Sequence, residues 1–129
     1  MPDYLDTSAF MKLVRSEERS DALRRELAAR GPLVSSVLLV VEGRRAAARY
    51  GAMALTRARA ALATITLLAV DEPTLESAAS LQPSTLRSLD ALHLAAAISM
   101  GDELGRFYCY DTRLADAAHA CGIEVHPPG

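Results

Sequence analysis

The sequence has little of what disordered, fibrous or membrane-spanning chains need. Only 7 Gly and 6 Pro occur among 129 residues, and 50% of the residues are apolar against 23% charged. This composition excludes disorder and collagen-like repeats. The longest apolar stretches, residues 37–41 and 60–70, are too short or too interrupted by hydroxyl groups to span about 30 Å of hydrocarbon. The sequence predicts one globular domain over residues 1–129, with no membrane association.

Cysteine and export signals are also scarce. Cys109 and Cys121 are the two cysteines, and they provide neither a disulfide framework nor a CxxC metal motif. We expect both to be small buried hydrophobic residues. The first residues lack the basic and apolar segments of a secretory signal. These absences predict a cytoplasmic protein.

Lysine is nearly absent, and charge is segregated along the chain. Lys12 is the single lysine among 14 basic residues, and the net charge is -2. This net charge argues against general attraction to nucleic acid. Residues 43–70, however, contain no Asp or Glu, and they carry five arginines, which are Arg44, Arg45, Arg49, Arg57 and Arg59.

Short apolar runs alternate with helical segments along the chain. Strands are predicted at residues 4–5, 33–35, 65–70, 107–110 and 123–126. Helices are predicted at residues 7–14, 20–30, 88–100 and 111–121, and from residue 71 onward. Thr7 or Ser8 is the predicted cap of the first helix. A further long helix is predicted from Ser35 or Ser36 to residue 62, with a break or weakening at Gly51. Apolar strands that alternate with helices predict an α/β fold, a three-layer α/β/α sandwich around a mostly parallel sheet.

Two aspartates directly follow predicted strands. Asp6 follows the first strand and Asp111 follows the fourth. Ligands of parallel sheets bind beyond the carboxyl ends of the strands. Helix capping alone explains an isolated Asp at such a junction, but two of them favour a site at this edge.

Two further acids lie in apolar helices. Asp90 stands in the first turn of a helix that is apolar on nearly every side, where an unpaired carboxylate is costly. The helix dipole offsets only about 0.3–1 kcal/mol of that cost. Glu42 follows an apolar run, and an ion pair with Arg45 in the same helix is the alternative explanation.

Convergence of these four acids at one sheet edge would create a cation site. Oxygen ligands without Cys or paired His favour Mg²⁺ or Mn²⁺ over Zn²⁺. Such an ion activates water and neutralises charge on a phosphate, so phosphodiester hydrolysis is the predicted reaction.

Four segments together resemble the PIN domain, specifically the VapC toxins of bacterial toxin–antitoxin pairs. The segments are residues 4–9 (YLDTSA), the helix that carries Glu42, residues 86–95 (LRSLDALHLA) and residues 110–115 (YDTRLA). The resemblance covers essentially the whole chain. It implies a ribonuclease that depends on Mg²⁺ or Mn²⁺, with the family's four acids matched by Asp6, Glu42, Asp90 and Asp111.

The same resemblance implies two protein partners. One is a second copy of the chain, in a homodimer, and the other is a cognate VapB-like antitoxin that inserts an arginine into the acidic site. Phe10, Met11, Leu23 and Leu27 are candidates for the antitoxin groove, and core packing is their alternative role. The five arginines of residues 43–70 are candidates to line the RNA path, with a solvated or antitoxin-facing helix surface as the alternative.

Residues near the four acids have weaker signals. Ser8 resembles the family's small hydroxyl near the metal, although helix capping also explains it. Asp116 and Arg113 are further candidates beside the site. His93 shares a helical face with Asp90 and is expected to be structural rather than a metal ligand. Cys109 stands where many family members have Thr two residues before the last acid, which affects a supporting hydrogen bond rather than the ligand set.

Other functions fit the sequence less well. A haloacid-dehalogenase-type phosphatase needs a second Asp two residues after Asp6, where this chain has Ser8. A receiver domain needs paired acids after the first strand and a late lysine. The alternative from a different class is a catalytically silent PIN-like module that binds RNA or a protein partner.

Overall fold

The computed structural model describes residues 1–127 and contains a five-stranded parallel sheet of order β3-β2-β1-β4-β5. The strands are β1 (Asp3–Leu5), β2 (Leu33–Ser36), β3 (Ile65–Leu68), β4 (Phe107–Tyr108) and β5 (Val125–His126). The helices are α1 (Thr7–Val14), α2 (Ser20–Ala28), α3 (Leu39–Ala48), α4 (Ala52–Leu62), α5 (Glu72–Ser80), α6 (Ser88–Ser99) and α7 (Thr112–Ala120), with a 3-10 turn at Gly101–Glu103.

The sheet separates two hydrophobic cores, because successive strand residues point to opposite faces. Leu5 and Tyr108 pack with α1 to α4, whereas Tyr4 and Phe107 pack with α6 and α7. The rings of Tyr4 and Phe107 stack with their centroids 5.4 Å apart. The predicted three-layer α/β/α sandwich with a mostly parallel sheet is confirmed.

Several predicted boundaries change. Asp6 caps α1 through the Ala9 N–H, rather than Thr7 or Ser8. The predicted long helix is broken into α3 and α4 at Gly51, whose φ of 101° favours glycine. β3 and β4 end earlier than predicted, and β5 begins later, because sheet pairing covers only part of each predicted strand.

The candidate groove residues belong mostly to the core. Phe10, Leu23 and Leu27 are buried between the sheet and α1 to α4, and Met11 is partly buried against them. The expectation of an exposed groove at these positions is therefore wrong for the three buried residues, because the amphipathic faces of α1 and α2 pack against the sheet. Cys109 is buried as expected, but Cys121 is exposed at the end of α7.

The amino end of β1 is anchored by a buried ion pair. Asp3 is fully buried and accepts hydrogen bonds from Arg30 Nε at 2.5 Å and Nη2 at 2.9 Å, and from the Arg106 backbone N–H at 2.8 Å. A Cβ at Gly105 would collide with the same carboxylate. Burial acts to raise the pKa of Asp3, but the hydrogen bonds from Arg30 and Arg106 outweigh it and hold this pKa below its usual value. No helix within residues 1–127 has the length and apolarity that a membrane crossing requires.

Candidate active site

The carboxyl ends of the adjacent strands β1 and β4 each lead into a helix through an aspartate. Asp6 accepts a hydrogen bond from the Ala9 N–H at 2.8 Å, and Asp111 accepts one from the Leu114 N–H at 3.1 Å. Both residues are therefore helix N-caps. Capping alone does not explain why both aspartates lie near Asp90.

Asp6 lies at the bottom of the site, with only 3% of its surface exposed. Ser8 Oγ lies 2.7 and 2.8 Å from its two carboxylate oxygens, and the same hydroxyl accepts a hydrogen bond from the Tyr110 N–H at 2.8 Å. Ser8 thus ties Asp6 to the chain that leaves β4. Burial raises the pKa of Asp6, and the hydrogen bonds from Ala9 and Ser8 only partly oppose this shift.

Glu42 is held by tertiary contacts rather than by a neighbour on its own helix. His93 Nε2 lies 2.8 Å from Glu42 Oε1, and no ion pair with Arg45 forms. Because a carboxylate only accepts hydrogen bonds, Nε2 carries the proton. The buried Tyr4 hydroxyl lies 2.7 Å from Nδ1 on the other side of the imidazole.

His93 therefore orients Glu42, and its own orientation is set by neighbours. The phenol pKa of Tyr4 is raised far above its usual value, mainly by burial, so its hydroxyl stays protonated and donates to Nδ1. Thr7 Oγ1 also lies 3.2 Å from Nε2. The expectation that His93 is a core histidine understates its role, since it touches Glu42 directly.

The pKa of Asp90 connects the four acids electrostatically. Asp90 is half-buried in the first turn of α6, and its pKa is raised first by burial, then by the charges of Asp111 and Asp6, with a smaller contribution from Glu42. Like charges raise a carboxyl pKa only when they are near. Asp6, Glu42, Asp90 and Asp111 thus share one region at the carboxyl edge of the sheet.

The donor set fits a hard divalent cation. Throughout residues 1–127, no Lys or Arg forms an ion pair with any of the four acids. No lysine or arginine therefore offsets their mutual repulsion, and oxygen donors of this kind suit Mg²⁺ or Mn²⁺. In their present rotamers, no three His, Cys, Asp or Glu side chains of the described residues are grouped tightly enough to hold a metal ion.

The neighbouring candidates differ in their contacts. Cys109 is buried, and its Sγ donates weakly to the Asp111 carbonyl oxygen at 3.3 Å, which supports the turn that carries this acid. Asp116 is exposed and lines a cleft together with Asp111. Arg113 is exposed, lines a different cleft with Asp116, and has no ion pair to the four acids.

The arginines of α3, α4 and the turn between them are exposed and unpaired within the described chain. Arg49 and Ser8 line the same cleft. None of these five arginines forms an ion pair within residues 1–127. The five are Arg44, Arg45, Arg49, Arg57 and Arg59.

Known proteins resemble the chain in both sequence and structure. The PIN domain family matches residues 4–120. Ribonuclease VapC46 of Mycobacterium tuberculosis (strain ATCC 25618 / H37Rv) is 48% identical over 125 residues, covering 97% of this chain and 96% of the relative. Ribonuclease VapC47 of Mycobacterium tuberculosis (strain CDC 1551 / Oshkosh) is 41% identical over 131 residues, covering 98% and 96%.

Two solved structures share the fold at low sequence identity. Mycobacterium tuberculosis VapC20, described as a Sarcin-Ricin loop cleaving toxin, superposes with a TM-score of 0.72 at 19% identity and covers 94% of this chain and 95% of its own. VapBC2 from Rickettsia felis, bound to a DNA fragment from its promoter, gives a TM-score of 0.73 at 10% identity and covers 98% of each chain.

Proposed function

This chain belongs to the PIN domain family and to its VapC ribonucleases, and from that premise we propose that it is an endoribonuclease dependent on Mg²⁺ or Mn²⁺. It acts as the toxin of a type II toxin–antitoxin pair. The relatives named as ribonucleases support the reaction class, and they align with nearly the whole chain.

One observation carries the proposal within this structure. The charges of three other acids raise the pKa of Asp90, and no arginine or lysine neutralises them within residues 1–127. A buried carboxylate with a structural role pairs with a cation, as Asp3 does with Arg30. Three of the four acids accept hydrogen bonds, but none has a paired arginine or lysine in the part of the chain that the structure describes, and such a cluster at the edge where parallel sheets bind ligands favours catalysis.

The site residues have distinct roles in this proposal. Asp6, Glu42, Asp90 and Asp111 hold the cation, which when bound supplies charge neutralisation at the phosphate and acidifies a water molecule. Ser8 fixes both oxygens of Asp6, and His93 fixes Glu42. Asp111 is exposed whereas Asp6 is buried, so RNA approaches from the Asp111 side.

Partners and location follow from the same family. A cognate VapB-like antitoxin inhibits the protein by inserting an arginine among the acids, the protein forms a homodimer, and it acts in the cytoplasm. The solved VapBC2 complex supports the antitoxin. The buried Phe10, Leu23 and Leu27 are unavailable to it, whereas Val41, Tyr50 and Met53 on α3, α4 and the turn between them are more than half exposed.

An RNA cleavage assay with titrated metal tests the activity. We expect cleavage with Mg²⁺ or Mn²⁺, none with EDTA, and none by Asp90→Asn. Asp102→Asn, an exposed acid in the 3-10 turn, is the matched control and should cleave normally. Cleavage that survives EDTA would exclude the metal mechanism. Metal and RNA binding without cleavage by the wild-type protein would favour a catalytically silent module.

The cellular target and the partner need separate experiments. Sequencing of RNA 5′ ends after expression would identify the cleaved sequence. Co-purification with the product of the adjacent open reading frame, together with loss of cleavage, would support the toxin role. If that product neither binds nor inhibits, the nuclease assignment stands without the toxin role.

A further inference from the structure

A cleft between α1 and the end of α3 opens directly beside the acidic site. It has a volume of about 290 Å³, and its lining includes Ser8, Lys12, Arg15, Arg49, Tyr50 and Tyr110. Ser8 forms the boundary, because its hydroxyl also contacts both oxygens of Asp6. A ligand in this cleft is therefore adjacent to Asp6.

The cleft is positively charged, in contrast to the acidic site. Lys12, Arg15 and Arg49 contribute three cations, and Glu17 is the one acid in the lining. Glu17 lies 3.6 Å from Lys12 Nζ and 4.0 Å from Arg15 Nη1 and so is shared between two cations. The surplus positive charge favours an anionic ligand.

Two aromatic rings lie among these cations. The Arg15 guanidinium lies 3.6 Å from the centroid of the Tyr50 ring, and Lys12 Nζ lies 5.0 Å from that of Tyr110. Tyr50 is 53% exposed and the Arg15 side chain is 38% exposed, so the stacked guanidinium and ring are partly open to solvent. Flat aromatic and guanidinium surfaces beside phosphate-binding cations are typical of sites for single-stranded nucleic acid.

A second cleft that reaches one of the four acids adjoins the first. Lys12 and Tyr110 line both clefts, and the second, of about 420 Å³, reaches Asp111. One strand of RNA can thus pass along Tyr110 while it contacts both clefts.

We propose that the cleft of Lys12, Arg15, Arg49 and Tyr50 binds a nucleotide of single-stranded RNA next to the scissile phosphate. Lys12, Arg15 and Arg49 hold the phosphate on that side, and the base stacks on the surface formed by Arg15 and Tyr50. This inference rests on the proposed ribonuclease function and adds a substrate subsite to it. A carboxylate-rich protein segment satisfies the cations equally well but makes no comparable use of the flat surface.

Fluorescence anisotropy with a labelled single-stranded RNA of about twelve nucleotides tests the subsite. The parent is Asp90→Asn, which we expect to bind without cleaving. Adding Arg15→Gln and Arg49→Gln should raise Kd about tenfold and lower the slope of log Kd against log salt by about 1.4, since each lost contact with a single strand removes about 0.7. The control pair Arg24→Gln and Arg25→Gln, on α2, removes equal charge and should change Kd less than twofold.

A second pair of variants tests stacking separately from charge. Tyr50→Ala should raise Kd at least fivefold, and Tyr50→Phe should restore it, because stacking needs the ring and not the hydroxyl. Melting temperatures verify folding of each variant.

The outcomes separate this inference from the nuclease proposal. Wild-type cleavage together with unchanged Kd and salt slope in both sets of variants would overturn the subsite alone. Absence of both cleavage and RNA binding would overturn the nuclease and the subsite together. A peptide rich in Asp and Glu that binds the parent more tightly than the RNA, with Tyr50→Ala silent, would assign the cleft to a protein and overturn the subsite.

Discussion

The two ends of the central strand β1 carry buried aspartates in opposite electrostatic situations. Asp3, 0% exposed, lies at the amino end and pairs with Arg30 through two hydrogen bonds. Asp6, 3% exposed, lies just beyond the carboxyl end and accepts hydrogen bonds from Ser8 and the Ala9 N–H, and no arginine or lysine in the described part of the chain pairs with it. The pKa of Asp3 is lowered, whereas that of Asp6 is raised.

Asp3 and Asp6, three residues apart, thus differ in whether ionisation of the carboxyl group favours folding. At Asp3 the fold provides a cation in the chain itself, so the carboxylate stabilises the native state. At Asp6 the fold provides no such cation, and neighbouring acids add repulsion near Asp90. A cluster that is left uncompensated in this way is expected to lower stability until a ligand binds, which is the usual cost of a functional site.

The largest expected effect is the loss of RNA cleavage when Asp6, beyond the carboxyl end of β1, is replaced. Asp6→Asn should reduce kcat for RNA cleavage by about three orders of magnitude or more, because it removes a carboxylate from the proposed cation site. The metal-free variant should melt no lower than the wild-type protein, since a buried charge disappears. A marked drop in melting temperature for metal-free Asp6→Asn would instead assign Asp6 a structural role.

The opposite pattern is expected at the amino end. Asp3→Ala should lower the free energy of unfolding by about 3 kcal/mol, because it leaves the Arg106 N–H and the partly buried Arg30 without their acceptor. Cleavage per folded molecule should remain unchanged. Urea denaturation measures the loss, with Asp21→Ala as a control whose ion pair to Arg24 is exposed and worth little. Equal effects of the two substitutions would contradict the role given to Asp3.

The sequence alone predicts the acids beyond the carboxyl end of β1, but it does not predict the ion pair at the amino end. Asp6 and Asp111 could be predicted to adjoin because parallel strands place their carboxyl ends at one edge. Asp3 has no comparable signal, since its partner Arg30 is 27 residues away and pairs with it only in the folded sheet. The four acids remain a prediction as metal ligands.

The alternative explanation of Glu42, an ion pair with Arg45, is not what the structure shows. A helix brings residues three apart together, which favours Arg45, but Glu42 contacts His93, 51 residues away. In the same way, the apolar pattern of α1 and α2 does not show which of their residues are covered by the sheet. Tertiary packing decides both cases, and periodicity within one element does not contain that information.

An intermediate effect is expected from the residues that position Glu42. His93→Asn removes the donor to Glu42 and should weaken Mn²⁺ binding and kcat about 10–100-fold, as supporting hydrogen bonds of metal ligands typically do. His93→Gln places an amide N–H near the position of Nε2 and should recover much of the loss. Calorimetric Mn²⁺ titration provides a readout independent of cleavage.

The Tyr4 hydroxyl offers a more remote test of the same arrangement. Tyr4→Phe should also weaken Mn²⁺ binding, because Nδ1 loses the donor that keeps the proton on Nε2. If His93→Asn and Tyr4→Phe bind Mn²⁺ as the wild-type protein does, the imidazole is only a packing residue.

The smallest expected effect is on the pH dependence of the unfolding free energy without metal. This measurement compares the two aspartates most directly. The lowered pKa of Asp3 gives stability that is present above its unfolded value, near 3.9, and is lost as pH falls through the folded value. The raised pKa of Asp6 gives stability that is full below the unfolded value and is lost as pH rises through the folded value. Each unit between folded and unfolded pKa corresponds to about 1.4 kcal/mol.

Urea denaturation between pH 3 and pH 8 resolves these two contributions by subtraction. The unfolding free energy of the wild-type protein minus that of Asp3→Asn should rise with pH, because Asp3 is favourable when ionised. The same difference for Asp6→Asn should fall with pH, because ionisation of Asp6 opposes folding. Differences that change in the same direction would refute the opposite electrostatic situations of the two ends of β1.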